Sequence, residues 1–157
     1  MISSDPIRAD STSPMTIAFW SKASDAWNGD QGMIGVGNMA GGGQFVMALW
    51  DGGDPIQWMY LRTGDVDGDK YITATNVTTW RHNVVVYTGS EADWYVNGEL
   101  AFTGAEDNVG ATPIMIGNSR ACGDNNCSYQ FHGMIDDVMV FDRALPIEDA
   151  QKLYRSY

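Results

Sequence analysis

The chain has 157 residues, 44% of them hydrophobic, with 20 Asp and Glu against 9 Lys and Arg and a formal charge of −11. That suits one domain with its own core, and it excludes a nucleic-acid surface, which needs a basic footprint. No apolar run reaches the roughly 20 residues of a membrane-spanning helix, so membrane insertion is not expected either.

Residues 1–14 are polar, with Pro6 and Pro14, and read as an irregular N-terminal arm. No basic region followed by an apolar stretch marks a signal peptide there. Residues 15–157 read as one domain. Thr16–Ser21 is the first clear strand, and Asp25–Gly32 a turn-rich connection. Met33–Val36 is a short strand, followed by the flexible Gly41-Gly42-Gly43. Gln44–Trp50 and Ile56–Arg62 are strands joined by Asp51-Gly52-Gly53-Asp54-Pro55, a strong turn signal. A charged loop, Thr63–Lys70, precedes β-rich Tyr71–Thr75 and Asn83–Thr88.

Asp93 to Phe102 is the clearest hairpin, because Asn97-Gly98 between two apolar runs is a type I′ turn signature. That register sets Tyr95 against Leu100 and Trp94 against Ala101. Ile114–Ile116 is another short strand, and Gln130–Phe141 a long one. The chain closes on a helix after Pro146. Glu148 and Asp149 in its first turn and Lys152 and Arg155 in its last suit the helix dipole. Ile147, Ala150, Leu153, Tyr154 and Tyr157 form an apolar stripe. About ten short strands and one helix predict an all-β, antiparallel jelly-roll β-sandwich with one short C-terminal helix.

Several clusters could carry chemistry. Cys122 and Cys127 are separated by four residues with Gly123 among them, so a loop disulfide is expected. It implies an oxidising compartment. Asp65, Asp67 and Asp69 alternate as in the opening of a calcium loop. Lys70 stands where that loop needs Gly, so a plain hairpin loop is the competing reading. Alternation puts Asp136 on the face of Val138 and Val140, the expected core side. A carboxylate there needs backbone N–H groups or a cation. Asp137, on the opposite face, is expected as a surface or turn partner of Arg143.

Three segments together resemble a known family. Thr16-Ile17-Ala18-Phe19-Trp20-Ser21-Lys22-Ala23 resembles the opening strand of laminin-G-like modules of the concanavalin A-like lectin/glucanase superfamily. Trp80-Arg81-His82-Asn83-Val84-Val85-Val86-Tyr87, with Trp94-Tyr95-Val96-Asn97-Gly98, is similar to a second signature. Gly133-Met134-Ile135-Asp136-Asp137-Val138-Met139-Val140-Phe141-Asp142-Arg143-Ala144-Leu145 is similar to the closing one. Order and spacing agree over residues 16–154. The resemblance implies two antiparallel sheets packed as a jelly roll, with Trp20 and Trp80 at core positions. Members usually begin with a further strand, where this chain has its polar arm. In related modules an Asp at the place of Asp136 helps to hold calcium, so a structural Ca2+ stands beside simple hydrogen bonding as a reading of that residue.

The resemblance implies no single function, since fold does not fix function. The glucanase branch sets Glu and Asp at alternate positions of one strand, and no pair of Glu here has that spacing. No Gly-x-Ser-x-Gly elbow occurs. The chain is therefore read as not an enzyme, but as a carbohydrate-binding, lectin-like module. Trp50, Trp58, Tyr60 and Trp94 are the aromatics that could stack on a sugar, with core or sheet-face packing as the alternative. Asp124, Asn125 and Asn126 lie in the cysteine-bounded loop and could contact a glycan at its rim. The alternative function is a structural or adhesion subunit of a virion, filament or cell surface. Its partners would be copies of itself or a neighbouring domain, through strand addition by the arm. Either function places the protein extracellularly, at a cell surface or on a virion.

Overall fold

The computed structural model describes residues 13–24, 31–36, 45–50, 58–63, 70–73, 77–105, 114–117 and 130–156. Residues 36, 45–50, 58–63, 70–73 and 105 are described by their backbone alone. Residues 1–12 of the expected arm and the turns at 41–43 and 51–55 lie outside the described residues.

The strands are β1 (Met15–Ala23), β2 (Gln31–Val36), β3 (Phe45–Trp50), β4 (Trp58–Thr63), β5 (Lys70–Thr73), β6 (Arg81–Tyr87), β7 (Glu91–Val96), β8 (Glu99–Ala105), β9 (Ile114–Ile116) and β10 (Gly133–Phe141). One helix, α1 (Ile147–Arg155), follows. The strands form two five-stranded sheets, ordered β10-β1-β6-β7-β8 and β5-β4-β3-β2-β9. Every strand pairing within them is antiparallel. This is the expected jelly-roll sandwich with its short C-terminal helix.

Successive strand residues point to opposite faces. In β1 the odd positions Met15, Ile17 and Phe19 enter the main core with Val85, Tyr87, Ala92 and Trp94 of the same sheet and Met33 and Ile34 of the other. The even position Ala18 joins Val84, Val86 and Tyr95 in a second cluster with Ala150 of α1, and Met139, Ala144 and Leu153 pack against it. The first sheet is thus covered on one face by the second sheet and on the other by the helix. This explains why β1 and β6 read as nearly continuous apolar runs rather than alternating ones.

The helix is placed by the segment that leads into it. Thr16, fully buried, donates from Oγ1 to the Arg143 carbonyl at 2.9 Å and accepts from the Leu145 N–H at 3.0 Å. No side chain caps the helix at Pro146; the N–H groups of Asp149 and Ala150 instead reach the Pro146 carbonyl, each at 3.0 Å. Of the expected apolar stripe, Ala150 is buried, Leu153 and Tyr154 are half-buried, and Ile147 is 47% exposed.

The hairpin between β7 and β8 corrects the expected register. Asn97 and Gly98 both have positive φ, 51° and 79°, as a type I′ turn requires. Tyr95 faces Leu100 as expected, but Trp94 faces Phe102 and not Ala101, because a bulge between Trp94 and Tyr95 leaves Ala101 unmatched. Gly98 is needed for space as well as conformation, since a Cβ there would lie 2.9 Å from Cδ1 of Tyr154.

Thr16→Val keeps the shape of this side chain and removes its hydroxyl. The Leu145 N–H then loses its acceptor in a buried site. The variant is expected to lose about 1–3 kcal/mol of stability, measured by urea denaturation. A loss below 0.5 kcal/mol would show that Thr16 does not hold the helix approach.

Candidate functional site

Across the first sheet, one row of three residues lies beyond the helix. Trp20 of β1 pairs with Asp136 of β10 on one side and with His82 of β6 on the other. Its ring centroid is 5.0 Å from that of His82 and 5.9 Å from that of Tyr154 at the end of α1. The His82 and Tyr154 rings stack at 5.9 Å with 30° between their planes. The hairpin tip closes the far side. The His82 N–H donates to Oδ1 of Asn97 at 2.9 Å, and the Asn97 N–H donates to the His82 carbonyl at 2.8 Å.

Beside this braced cluster is an open cavity of about 260 Å³ lined by Trp20, Trp80, Asp136 and Asp137. Trp80 is 40% exposed, yet its position is set by buried neighbours. Val77, in the turn that leads to it, enters the main core, and the Ala23 N–H donates to the Val77 carbonyl at 2.9 Å. Trp80 has the same parity as His82, Val84 and Val86, so continuing the β6 alternation backwards sets it on the helix-side face.

The carboxylates reach this cavity through an irregularity in β10. Ala18 pairs with Met139 and Trp20 with Asp136, so Phe19 alone stands opposite both Asp137 and Val138. Asp137 is the extra residue, with φ at 48° in the left-handed region that Asp tolerates better than most residues. The bulge shifts the alternation by one. Ile135 faces the core before it, and Val138 and Val140 after it. Asp136 is therefore exposed on the outer face and not on the core side that simple alternation expects. Its Oδ1 accepts the Asp137 N–H at 2.9 Å. Asp137 makes no ion pair with Arg143 among the described residues; the Arg143 guanidinium lies 6.0 Å from the centroid of the Phe141 ring.

The other expected site residues divide into three groups. Trp94 is fully buried in the main core, so it has no face to offer a sugar. Trp50, Trp58 and Tyr60 are placed by their backbone: Trp50 pairs with Trp58 across β3 and β4, and Tyr60 with Ala48. Asp65, Asp67, Asp69, Asp124, Asn125, Asn126, Cys122 and Cys127 lie outside the described residues. Trp20 and Trp80, expected in the core, are the residues that line the cavity. The signal for them was parity, because Trp20 and Trp80 fall on the opposite alternation from Ile17, Phe19 and Val85.

Calcium takes six to eight oxygen ligands. Asp136 and Asp137 bring two carboxylates, one oxygen of which is already bonded, and the indoles bring none. Among the described residues no three of His, Cys, Asp and Glu converge. The described donors do not make up a calcium site.

The chain belongs to the Concanavalin A-like lectin/glucanases superfamily, whose family model matches residues 2–151. That match starts well before residue 16, where the sequence resemblance began, and so takes in most of the arm. No curated protein is similar enough to count as a relative. Among solved structures, the chain is similar to a heptameric SAP-like pentraxin from Limulus polyphemus, at 19% identity and TM-score 0.66, covering 90% of this chain and 69% of that one. It is similar to the CBM40 of the Ruminococcus gnavus IT-sialidase, bound to alpha2,3 sialyllactose, at 20% identity and TM-score 0.65, covering 90% and 83%. It is also similar to a Trypanosoma rangeli sialidase mutant displaying trans-sialidase activity, at 18% identity and TM-score 0.68, covering 92% of this chain but 23% of that one. At these identities the likeness is one of fold. No helix among the described residues is long and apolar enough to cross a membrane.

His82 gives the cluster a pH dependence. It is fully buried, and burial lowers its pKa from 6.5 to about 4 against the opposing pull of the Asp137 carboxylate. Below pH 6.5 the unfolded chain takes up a proton that folded His82 refuses. The stability present above that pH is therefore lost as pH falls toward 4, by about 2 kcal/mol from pH 6.5 to 5. His82→Phe keeps an aromatic ring and removes the titration. Denaturation midpoints of the two proteins at pH 5, 6 and 7 should show the slope in the parent alone; parallel curves would exclude His82 as its source.

Proposed function

We propose that the chain is a non-catalytic carbohydrate-binding module of its superfamily, and that the outer-face cavity is its contact with a sugar. The observation that carries this reading is the exposed Trp80 indole beside two adjacent carboxylates in an open concavity. An indole offers a flat apolar surface to the C–H face of a sugar ring. Carboxylate oxygens accept hydrogen bonds from sugar hydroxyls, fixing the orientation of the ring. The volume of about 260 Å³ is near the lower end for small-molecule sites, in keeping with one sugar unit of a longer chain.

The arrangement also supports binding without cleavage. Glycoside hydrolysis sets two carboxyl groups on either side of the scissile bond, whereas Asp136 and Asp137 are successive residues of one strand. The fold likeness to the sialidase CBM40 and to the pentraxin supports the same reading, and an extracellular or cell-surface location follows from it as part of the proposal.

A glycan array on the whole chain, followed by calorimetry with its best ligand, tests the function. Trp80→Ala is expected to weaken that ligand about tenfold, the scale of losing one aromatic contact, with little change in thermal midpoint because the ring is exposed. The bound oligosaccharide should be recovered uncleaved. Unchanged affinity in Trp80→Ala would move the contact elsewhere, and a parent protein that binds no glycan would end the proposal.

A further inference from the structure

We propose that this cavity selects sugars that carry a free primary ammonium, as glucosamine units do, over neutral, N-acylated and acidic ones. The inference rests on the reading of the cavity as the sugar contact and adds the class of sugar.

The charge of the lining points that way. Its described residues are two indoles and two carboxylates, with no cation among them. Lys22 lies two residues beyond Trp20 along β1, opposite Met134, and makes no ion pair with either Asp; the ion pair of Lys152 with Asp149 is on the helix surface. Oδ1 of Asp136 accepts the Asp137 N–H, and the remaining carboxylate oxygens accept nothing from the described residues. Two neighbouring anions are thus held in place by a backbone bulge, with no described residue matching their charge.

A neutral hydroxyl supplies one hydrogen and no charge. An ammonium supplies three donors and a full positive charge, enough to bridge both carboxylates. The indoles favour the same group, because a cation within about 6 Å of a Trp ring is attracted by its π face. The sugar ring that bears the ammonium would still have its C–H face for Trp80. An acidic sugar would bring a third negative charge beside Asp136 and Asp137, in a chain already at −11. Acylation would remove the charge and place bulk where the carboxylates stand. A lysine side chain shares the ammonium but lacks the flat ring that the exposed indole is suited to cover.

Calorimetry at pH 6 and low salt, with glucosamine oligomers, their N-acetylated counterparts and a lysine peptide, tests the selection. The glucosamine oligomer is expected to bind about tenfold or more tightly than its N-acetylated twin, with the preference shrinking as salt rises. Asp136→Asn and Asp137→Asn, singly and together, should reduce the preference while leaving the fold intact, since Asn also tolerates the left-handed conformation at 137. Thermal melts confirm that each variant is folded. Trp80→Ala should weaken both oligomers, and the glucosamine oligomer somewhat more, because a cation–π contact goes with the ring. Equal binding of the two oligomers, or a preference that survives both Asn substitutions, would overturn the selection while leaving the sugar contact standing. Tighter binding of the lysine peptide than of the glucosamine oligomer would overturn it in favour of a protein ligand. Binding of neither oligomer by the parent protein would also overturn it, and the glycan array then decides separately whether the module binds sugar at all.

Discussion

Burial of the first sheet on both faces is the constraint on which the remaining features depend. A strand with one wet face can carry polar residues at every second position. β1 and β6 cannot, because sheet and helix cover them from opposite sides. Two of the polar groups that enter these strands are tied down by hydrogen bonds. Thr16 bonds the approach to the helix, and Asn83 donates to Ser21 at 3.0 Å from inside the sheet. The nine-residue helix brings Tyr154, near its end, against Trp20 and His82. The cavity lies on the outer face beside that contact, and no described residue of the helix lines it.

The bulge at Asp137 and the aromatic stack around His82 divide the work of forming that cavity. The bulge turns both carboxylates to the outer face of a strand whose regular alternation would bury one of them. The stack fixes Trp20 from behind by contacts with β6, the hairpin tip and the helix end. Both devices are built on strands and the helix end, and the described lining residues other than Trp80 sit on strands. A site on such a scaffold is preformed, which reduces the ordering cost of binding.

Most of the architecture was legible in the sequence because its signals are local. Asn97-Gly98 specified its turn, Ile114–Ile116 its strand, and Glu148 to Arg155 the polarity of the closing helix. The site was not legible to the same degree, for two physical reasons. A bulge inserts one residue and reverses the facing of everything beyond it, and no residue between Ile135 and Phe141 announces one; the same effect displaced Trp94 from Ala101 to Phe102. The second reason is that a Trp on a doubly covered sheet has the same sequence context as a Trp in the main core. Trp20 and Trp94 both sit among apolar neighbours, yet only Trp94 is enclosed by the two sheets. Which face the helix covers, and where that cover stops, is a tertiary fact.

The pairing of the first and tenth strands has a consequence for how the chain reaches this state. Thr16 bonds to Arg143, 127 residues further along. As the protein is synthesised from its N-terminus, β1 emerges first and waits for nearly the whole chain before its edge partner exists. β6 can join it on one side earlier, and the β7–β8 hairpin can form on its own short-range contacts. β10 arrives and the helix docks after the other described strands, closing a loop of 127 residues between Thr16 and Arg143. Until then the row of Trp20 and His82 is open to solvent and an unpaired strand edge is available to other chains. Among the described residues the outer-face cavity is therefore completed late, and a chain interrupted before residue 133 retains most of the strands of both sheets while lacking Asp136 and Asp137.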